Sequence, residues 1–224
     1  MFQRFFSMLV VLVLLAGCAT PTTSPLDTAK SLVVDAVETL ADFRSHKNLR
    51  EYVKYLDDAA GVVILPDVVK AGWFLGAEAG NGVLLAKKAG GGWSDPTFHT
   101  LAAASFGLQI GIQDTSIILI IRSEKALTAI LKHQGKLGAD IGATMAYVGV
   151  GMEASTTSNL GADIVAFAAP VLGAYIGSSL EGSVLAVRRD LNEAVYGTGA
   201  TAEAILAGKF KTTIAKPLQD ALGR

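Results

Sequence analysis

Two apolar runs separated by Gly80-Asn81-Gly82 constrain this chain more than any other feature. Trp73 to Ala79 precedes the triplet and Val83 to Lys88 comes after it. Asn-Gly between apolar runs is the strongest short hairpin signal, because both central residues of a type I′ turn need positive φ. The spacing therefore predicts a hairpin with its turn at Gly80-Asn81-Gly82. Just upstream, Val62 to Leu65 reads as a buried strand stopped by Pro66-Asp67. An antiparallel sheet is declared early in the chain.

The strand pattern continues downstream. Thr97 to Ile112 reads as a long strand bent at Gly107 and Gly111, and Asp114-Thr115 as a turn. Ser116 to Ile121 (SIILII) reads as a strand buried on both faces. Ser123 caps a helix running to about Gln134. Strand patterns return at Ile141 to Glu153, Asp163 to Ala168, Val171 to Ser178 and Gly182 to Val187, with a turn at Thr156 to Asn159. The recurring glycines in this half predict curved, closely packed strands. Helices are expected at Leu26 to Phe43, from Asn48 (with Glu51 in the capping-box position), at Asp190 to Tyr196, at Thr201 to Ala207 and at Thr212 to Leu222, the last interrupted by Pro217. The fold class is α+β: a glycine-rich, mostly antiparallel curved sheet, partly closed and barrel-like, with flanking helices and N-terminal helices preceding the sheet. The 224 residues suffice for one domain.

The mean hydropathy of +0.44 raises the question of membrane spanning. Beyond the N-terminus the longest apolar run is Val165 to Gly177, which contains Pro170 and is too short for the ~20 residues of a spanning helix. A transmembrane β-barrel is the other possibility, but aromatic residues are 7% and form no girdles at strand ends.

Met1 to Cys18 (MFQRFFSMLVVLVLLAGC) has a short basic n-region at Arg4, an apolar h-region, and Leu15-Ala16-Gly17-Cys18 in the form of a bacterial lipobox. Residues 1–17 are expected to be a lipoprotein signal peptide. Cys18, the chain's one cysteine, is the expected site of diacylglyceryl and N-acyl (palmitate-type) attachment, and residues 18–25 are the lipidated tether. More than one acyl chain gives stable attachment. Ala19 after the cysteine points to the outer membrane, facing the periplasm or the surface. Lipidation of Cys18 also leaves no thiolate nucleophile or cysteine metal ligand elsewhere.

Catalytic and metal chemistry find little footing. His46, His99 and His133 match no metal-ligand spacing, and no serine occupies a Gly-x-Ser-x-Gly elbow. Gly149-Val150-Gly151 begins a dinucleotide-like pattern that ends in Ala154, but a strand rather than a helix is expected after it. Neither an enzyme nor a cofactor, metal or catalytic residue is expected. The net charge of −1 gives no argument for nucleic acid. Lys87-Lys88 and Arg188-Arg189 close two strands, as solvated edges or as holders of lipid phosphates. Arg50 and Lys54, on the helix before the first strand, would join Lys87 and Lys88 as phosphate contacts if that helix lay on a bilayer.

Several short motifs then carry a family pattern. Ala60-Gly61-Val62-Val63-Ile64-Leu65-Pro66, Lys70-Ala71-Gly72, Gly80 to Val83, Trp93-Ser94-Asp95-Pro96 and Gly107 to Gly111 closely resemble the SYLF domain. Gly173 to Ser183 and Asn192 to Gly197 resemble its second half. The likeness runs over 57–208, preceded by helices in 26–60 and followed by a tail helix in 209–224. The resemblance implies a phospholipid-binding module, in which eukaryotic members bind phosphoinositides and yeast relatives also bind actin. A bacterial envelope offers no actin, so the implied partners are anionic membrane phospholipids. A structural lipoprotein that docks an envelope protein, with no lipid preference, is the alternative.

Overall fold

The computed structural model describes residues 23–72, 75–106, 111–132, 137, 144–149, 162–172, 180 and 182–223. The expected leader, Cys18, His133, the end of the Gly149–Ala154 pattern, the turn at 156–159 and most of the 173–183 motif lie outside them.

Helix α1 (Pro25–Ser45) opens the described chain. Ser24 caps it by accepting the Asp27 N–H at 3.1 Å, and Pro25 occupies its first turn, where no backbone donor is needed. Its stripe of Ala29, Leu32, Val33, Ala36, Leu40 and Phe43 is buried, as the three- and four-residue spacing predicts. The next segment departs from expectation. Leu49–Tyr52 is a 3₁₀ turn leading into the short helix α2 (Val53–Leu56), and the Asn48 side chain caps nothing. Glu51 pairs instead with Lys54 at 3.1 Å. The Tyr52 hydroxyl donates to the Leu40 carbonyl at 3.2 Å, and its ring meets Phe43 and Phe167 edge-on, which locks this turn to α1.

Seven strands form one sheet: β1 (Gly61–Gly72), β2 (Leu75–Ala86), β3 (Thr97–Phe106), β4 (Gly111–Ile121), β5 (Met145–Gly149), β6 (Ile164–Leu172) and β7 (Val184–Val187). Their order is β5-β6-β4-β1-β2-β3-β7; β5 and β6 are parallel and every other pair antiparallel. The α+β class with a mostly antiparallel sheet is as expected. No pairing among the described residues joins the edge strands β5 and β7, so the sheet is open rather than a closed barrel. Helices α3 (Glu124–Lys132), α4 (Arg189–Tyr196), α5 (Ala202–Leu206) and α6 (Lys216–Leu222) complete the fold. Ser123 and Thr201 cap α3 and α5 as read from sequence. Pro217 begins α6 rather than interrupting it.

The early hairpin is not where the sequence placed it. Pro66 does not stop β1, and Gly80-Asn81-Gly82 is not a turn: β2 runs straight through it, with Asn81 paired to Asp67 and Thr100. The cause is a bulge in the central strand. The registers of β1 with both neighbours slip at Pro66, the place where a proline fits inside a sheet. The bulge pushes β1 backbone toward β2. A Cβ at Gly80 would run into the Asp67 carbonyl, and one at Gly82 into the Ile64 carbonyl. Asp114 and Thr115, expected as a turn, likewise lie within β4 opposite the bulge.

Both sheet faces are packed around the middle of the strands. On one face α1, Tyr52, Trp93 and Leu218 cover Val62, Ile64, Val83, Leu85, Phe98, Ile118, Ile120 and Phe167. On the other, Val63, Leu65, Leu84, Leu101, Ile117, Leu119 and Ile121 pack with α3 and with Leu137, Leu180 and Leu185. Ile117 to Ile121 is wholly inaccessible, as an apolar run buried on both faces should be.

Candidate functional site

The Trp93-Ser94-Asp95-Pro96 motif builds a clamp. Ser94 Oγ accepts the Ala86 N–H at 2.9 Å and donates to the Asp95 carbonyl at 2.9 Å. Asp95, only 5% exposed, accepts the Thr212 N–H at 3.2 Å and the Gln219 side-chain amide at 2.9 Å. Gln219 also reaches the carbonyls of Trp93 and Ser94. The Tyr196 hydroxyl donates to the Pro96 carbonyl at 2.7 Å; burial, and then the negative charge of Asp95, hold that phenol above its usual pKa. A second clamp joins α4 to β3, where buried Asn192 accepts the Phe98 N–H at 3.0 Å. The most distinctive polar residues of the sequence thus hold the C-terminal helices against the sheet.

The four predicted phosphate contacts sit on two segments of chain that Lys87 ties together at one corner. Lys87, at the end of β2, donates from Nζ to the Leu56 carbonyl at 3.0 Å and sits 4.8 Å from the centroid of the Trp93 ring. That contact joins Lys87 to the end of α2, the helix that carries Lys54; Arg50 lies one turn earlier and Lys88 next along the chain. Their circumstances differ. Lys54 is paired with Glu51, whereas Arg50 and Lys88 are exposed and their side chains make no hydrogen bond or ion pair among the described residues. Asp57 and Asp58 are exposed at the same helix end. Arg188 is held elsewhere, forked onto Asp190 at 2.9 and 2.7 Å with its remaining nitrogen on Asn81.

His99 is fully buried, with Nε2 2.8 Å from Thr97 Oγ1 and no partner on Nδ1. Burial pushes its pKa down to about 4, so it is neutral at physiological pH. Among the described residues no group of histidines, cysteines and carboxylates could hold a metal ion, and no helix is long and apolar enough to cross a membrane.

Two apolar surfaces went unread in the sequence. One is a groove of about 400 Å³ beside α1, walled by Val33, Val34, Val37, Ile214 and Pro217, with Lys30 and Glu38 also lining it. The other is a bare part of the sheet, where Val69 is 44% and Ile112 75% exposed.

An α+β module whose signature residues hold its own frame together is the class these observations define. Comparison with known proteins gives the family. The model of the Ysc84 family, described as Las17-binding protein actin regulator, matches residues 102–224. Protein YSC84 of Saccharomyces cerevisiae is 32% identical over 158 residues, 70% of this chain and 34% of that protein. LAS seventeen-binding protein 3 of the same yeast is 30% identical over 158 residues, again 70% and 34%. SH3 domain-containing YSC84-like protein 1 of Xenopus laevis is 32% identical over 167 residues, 73% of this chain and 49% of that protein. The chain belongs to the Ysc84 family, the SYLF-domain family that its motifs resemble. It spans about a third of the length of the yeast relatives. The family is described by binding and regulation, not by a reaction.

Proposed function

We propose that this protein is a bacterial lipoprotein, held in the outer membrane through acylated Cys18, whose SYLF domain (57–208 with its preceding helices) binds anionic phospholipid head groups. The observation that supports this reading best is the contact of Lys87 with the end of α2, which sets the Lys87-Lys88 pair against the helix that carries Lys54, while the side chains of Arg50 and Lys88 have no hydrogen-bond or ion-pair partner among the described residues. Exposed cations near a bilayer add about 1 kcal/mol each toward anionic lipid, and several together attract a surface that one does not. The lipid contact is then the corner and not the apolar stripe of α1, because that stripe is buried against the sheet. The reaction class is binding, with no bond made or broken. Actin regulation, the role in the family's description, has no counterpart in a bacterial envelope.

Co-sedimentation of the unacylated domain, begun just before the Ser24 cap, with vesicles of graded anionic content tests the proposal. Binding should rise with anionic lipid, fall with salt, and weaken when Arg50 and Lys88 are replaced by glutamate. Failure to bind any composition would replace it with the reading in which the domain docks an envelope protein. Separately, the Cys18→Ser chain should leave the detergent-soluble membrane fraction.

A further inference from the structure

Among the described residues, the sheet face that carries α1 is covered over only part of its length. Past the bulge the same face continues as two cross-strand rows. The first runs Ile112, Ala71, Ala77, Ala104 across β4, β1, β2 and β3; the second runs Asp114, Val69, Ala79, Ala102 across the same strands. Apart from half-buried Asp114, every member of both rows is exposed. Seven adjacent apolar side chains are thus bare, and five of them are alanines. Exposed apolar residues are ordinary when scattered, but a contiguous and uncharged set marks a contact surface.

Its dimensions and its charges identify the occupant. Strands lie about 4.8 Å apart and alternate residues about 7 Å apart, so the lane is roughly 15 Å by 10 Å. That is far below the about 800 Å² per partner of a stable dimer, which argues against a second copy of this chain. It matches one helix of about three turns, roughly 16 Å long and 10 Å wide. Small alanines leave room for a helix against the sheet, and on the neighbouring part of the same face a helix, α1, is what packs there. One end of the lane is acidic. Asp114 is the β4 member of the second row, and Asp67 lies in the next row, two residues from Val69 along β1. Asp67 and Asp114 lie diagonally across β1 and β4 on this face, and burial, then the charges of Asp114 and Asp35, raise the pKa of Asp67. Oδ1 of Asp114 is buried without a hydrogen-bond partner. These carboxylates repel anionic head groups, so the lane is not a second lipid face.

We infer that the lane of Val69, Ala71, Ala77, Ala79, Ala102 and Ala104 docks a short amphipathic helix of a partner protein, with that helix's basic end on Asp67 and Asp114. The site is separate from the basic corner and does not depend on it.

The test uses the full chain in nanodiscs of neutral phosphatidylcholine, with empty nanodiscs as control. The probes are two fluorescein-labelled helical peptides of about 14 residues that share an Ala/Leu stripe; one ends in lysines and the other in glutamates. Fluorescence anisotropy should show saturable binding of the lysine-ended peptide in preference to the glutamate-ended one. Ala79→Glu should weaken the lysine-ended peptide by about tenfold or more, because it places a charge in the apolar lane. Asp67→Lys with Asp114→Lys should invert the preference between the peptides, an outcome only a folded protein can give. Equal affinity of the two peptides, indifference to Ala79→Glu, or no saturable binding of either overturns the inference. So does loss, in Ala79→Glu, of self-association or of adhesion to neutral bilayers, since either would assign the lane to a different occupant.

Discussion

The carboxylate of Asp95 accepts a hydrogen bond from the side-chain amide of Gln219 at 2.9 Å, across 124 residues of chain. Gln219 sits in α6, and its amide also serves the carbonyls of Trp93 and Ser94. Removing the donor leaves a buried carboxylate short of a partner, which costs about 1–3 kcal/mol or more for a charged acceptor. Gln219→Ala should therefore lower unfolding free energy by roughly 2 kcal/mol. Lys216→Ala, in the same helix but in an exposed pair with Asp220, should change it by under about 0.5 kcal/mol. Urea unfolding of the two variants checks the contrast.

Gly80 and Gly82 give a second prediction. Both abut the bulged backbone of β1, where a Cβ would collide with carbonyl oxygens that cannot rotate away. Ala in place of either should destabilise by about 1–3 kcal/mol or more, the usual effect of overpacking. Gly90→Ala, with nothing within 4 Å of its added carbon, should leave stability almost unchanged. If instead these two glycines served a turn, Asn81→Gly would be tolerated. In the strand it should cost about 1 kcal/mol, because Asn81 holds Thr100 and Arg188.

The same residues mark what the sequence conveyed and what it did not. The stripe of α1 and the run Ile117 to Ile121 were legible because periodicity alone encodes which face is buried. Pro66, Gly80 and Gly82 were misread because each is a local turn signal, and only the pairing of β1 with β2 turns them into one bulge and its accommodation. Gln219 carries no signal at all in isolation; its role exists only once α6 lies against Asp95. The alanine lane was missed because alanine reads as neutral filler along a strand, and the rows that unite Ala71, Ala77 and Ala104 exist only through the register of β1, β2 and β3.

His99 makes stability depend on acidity. Its folded pKa is depressed to about 4, while the unfolded side chain titrates near 6.5. Above 6.5 both states are neutral and the group has no effect on stability. As pH falls from 6.5 to about 4 the unfolded state takes up a proton that the folded state refuses, and stability is lost over that window. The loss amounts to roughly 3 kcal/mol at about 1.4 kcal/mol per pH unit. His99→Gln should flatten this part of the stability profile, whatever it does to stability at neutral pH. Urea midpoints measured between pH 7 and pH 4 give the comparison.

Asp67 acts in the opposite sense. Its pKa is raised by burial and by Asp114 and Asp35, so its ionised form is disfavoured in the folded protein. The penalty grows as pH rises from the unfolded carboxylate range through the raised folded value, and it vanishes when both states are protonated. Asp67→Asn should therefore stabilise at neutral pH and have little effect in strong acid. Thermal unfolding at pH 7 and pH 3 separates the two limits.

The corner lysines make the last prediction, because they divide lipid contact from framework. The side chains of Arg50 and Lys88 are exposed and make no hydrogen bond or ion pair among the described residues, so Arg50→Glu and Lys88→Glu should leave stability within about 0.5 kcal/mol of the parent. Their effect should fall on anionic-vesicle binding and its salt dependence. Lys87 differs, since its ammonium donates to the Leu56 carbonyl and lies over Trp93. Lys87→Glu removes both contacts and places a carboxylate beside a carbonyl oxygen and a π-face that both repel it, so it should cost about 1–3 kcal/mol of stability. Lys87→Met keeps the apolar stem without the charge and should recover part of that loss while still weakening any phosphate contact. Stability and vesicle binding measured on the same four variants would assign Lys87 to the frame, to the lipid surface, or to both. Uniform losses in both properties across all four would contradict this division.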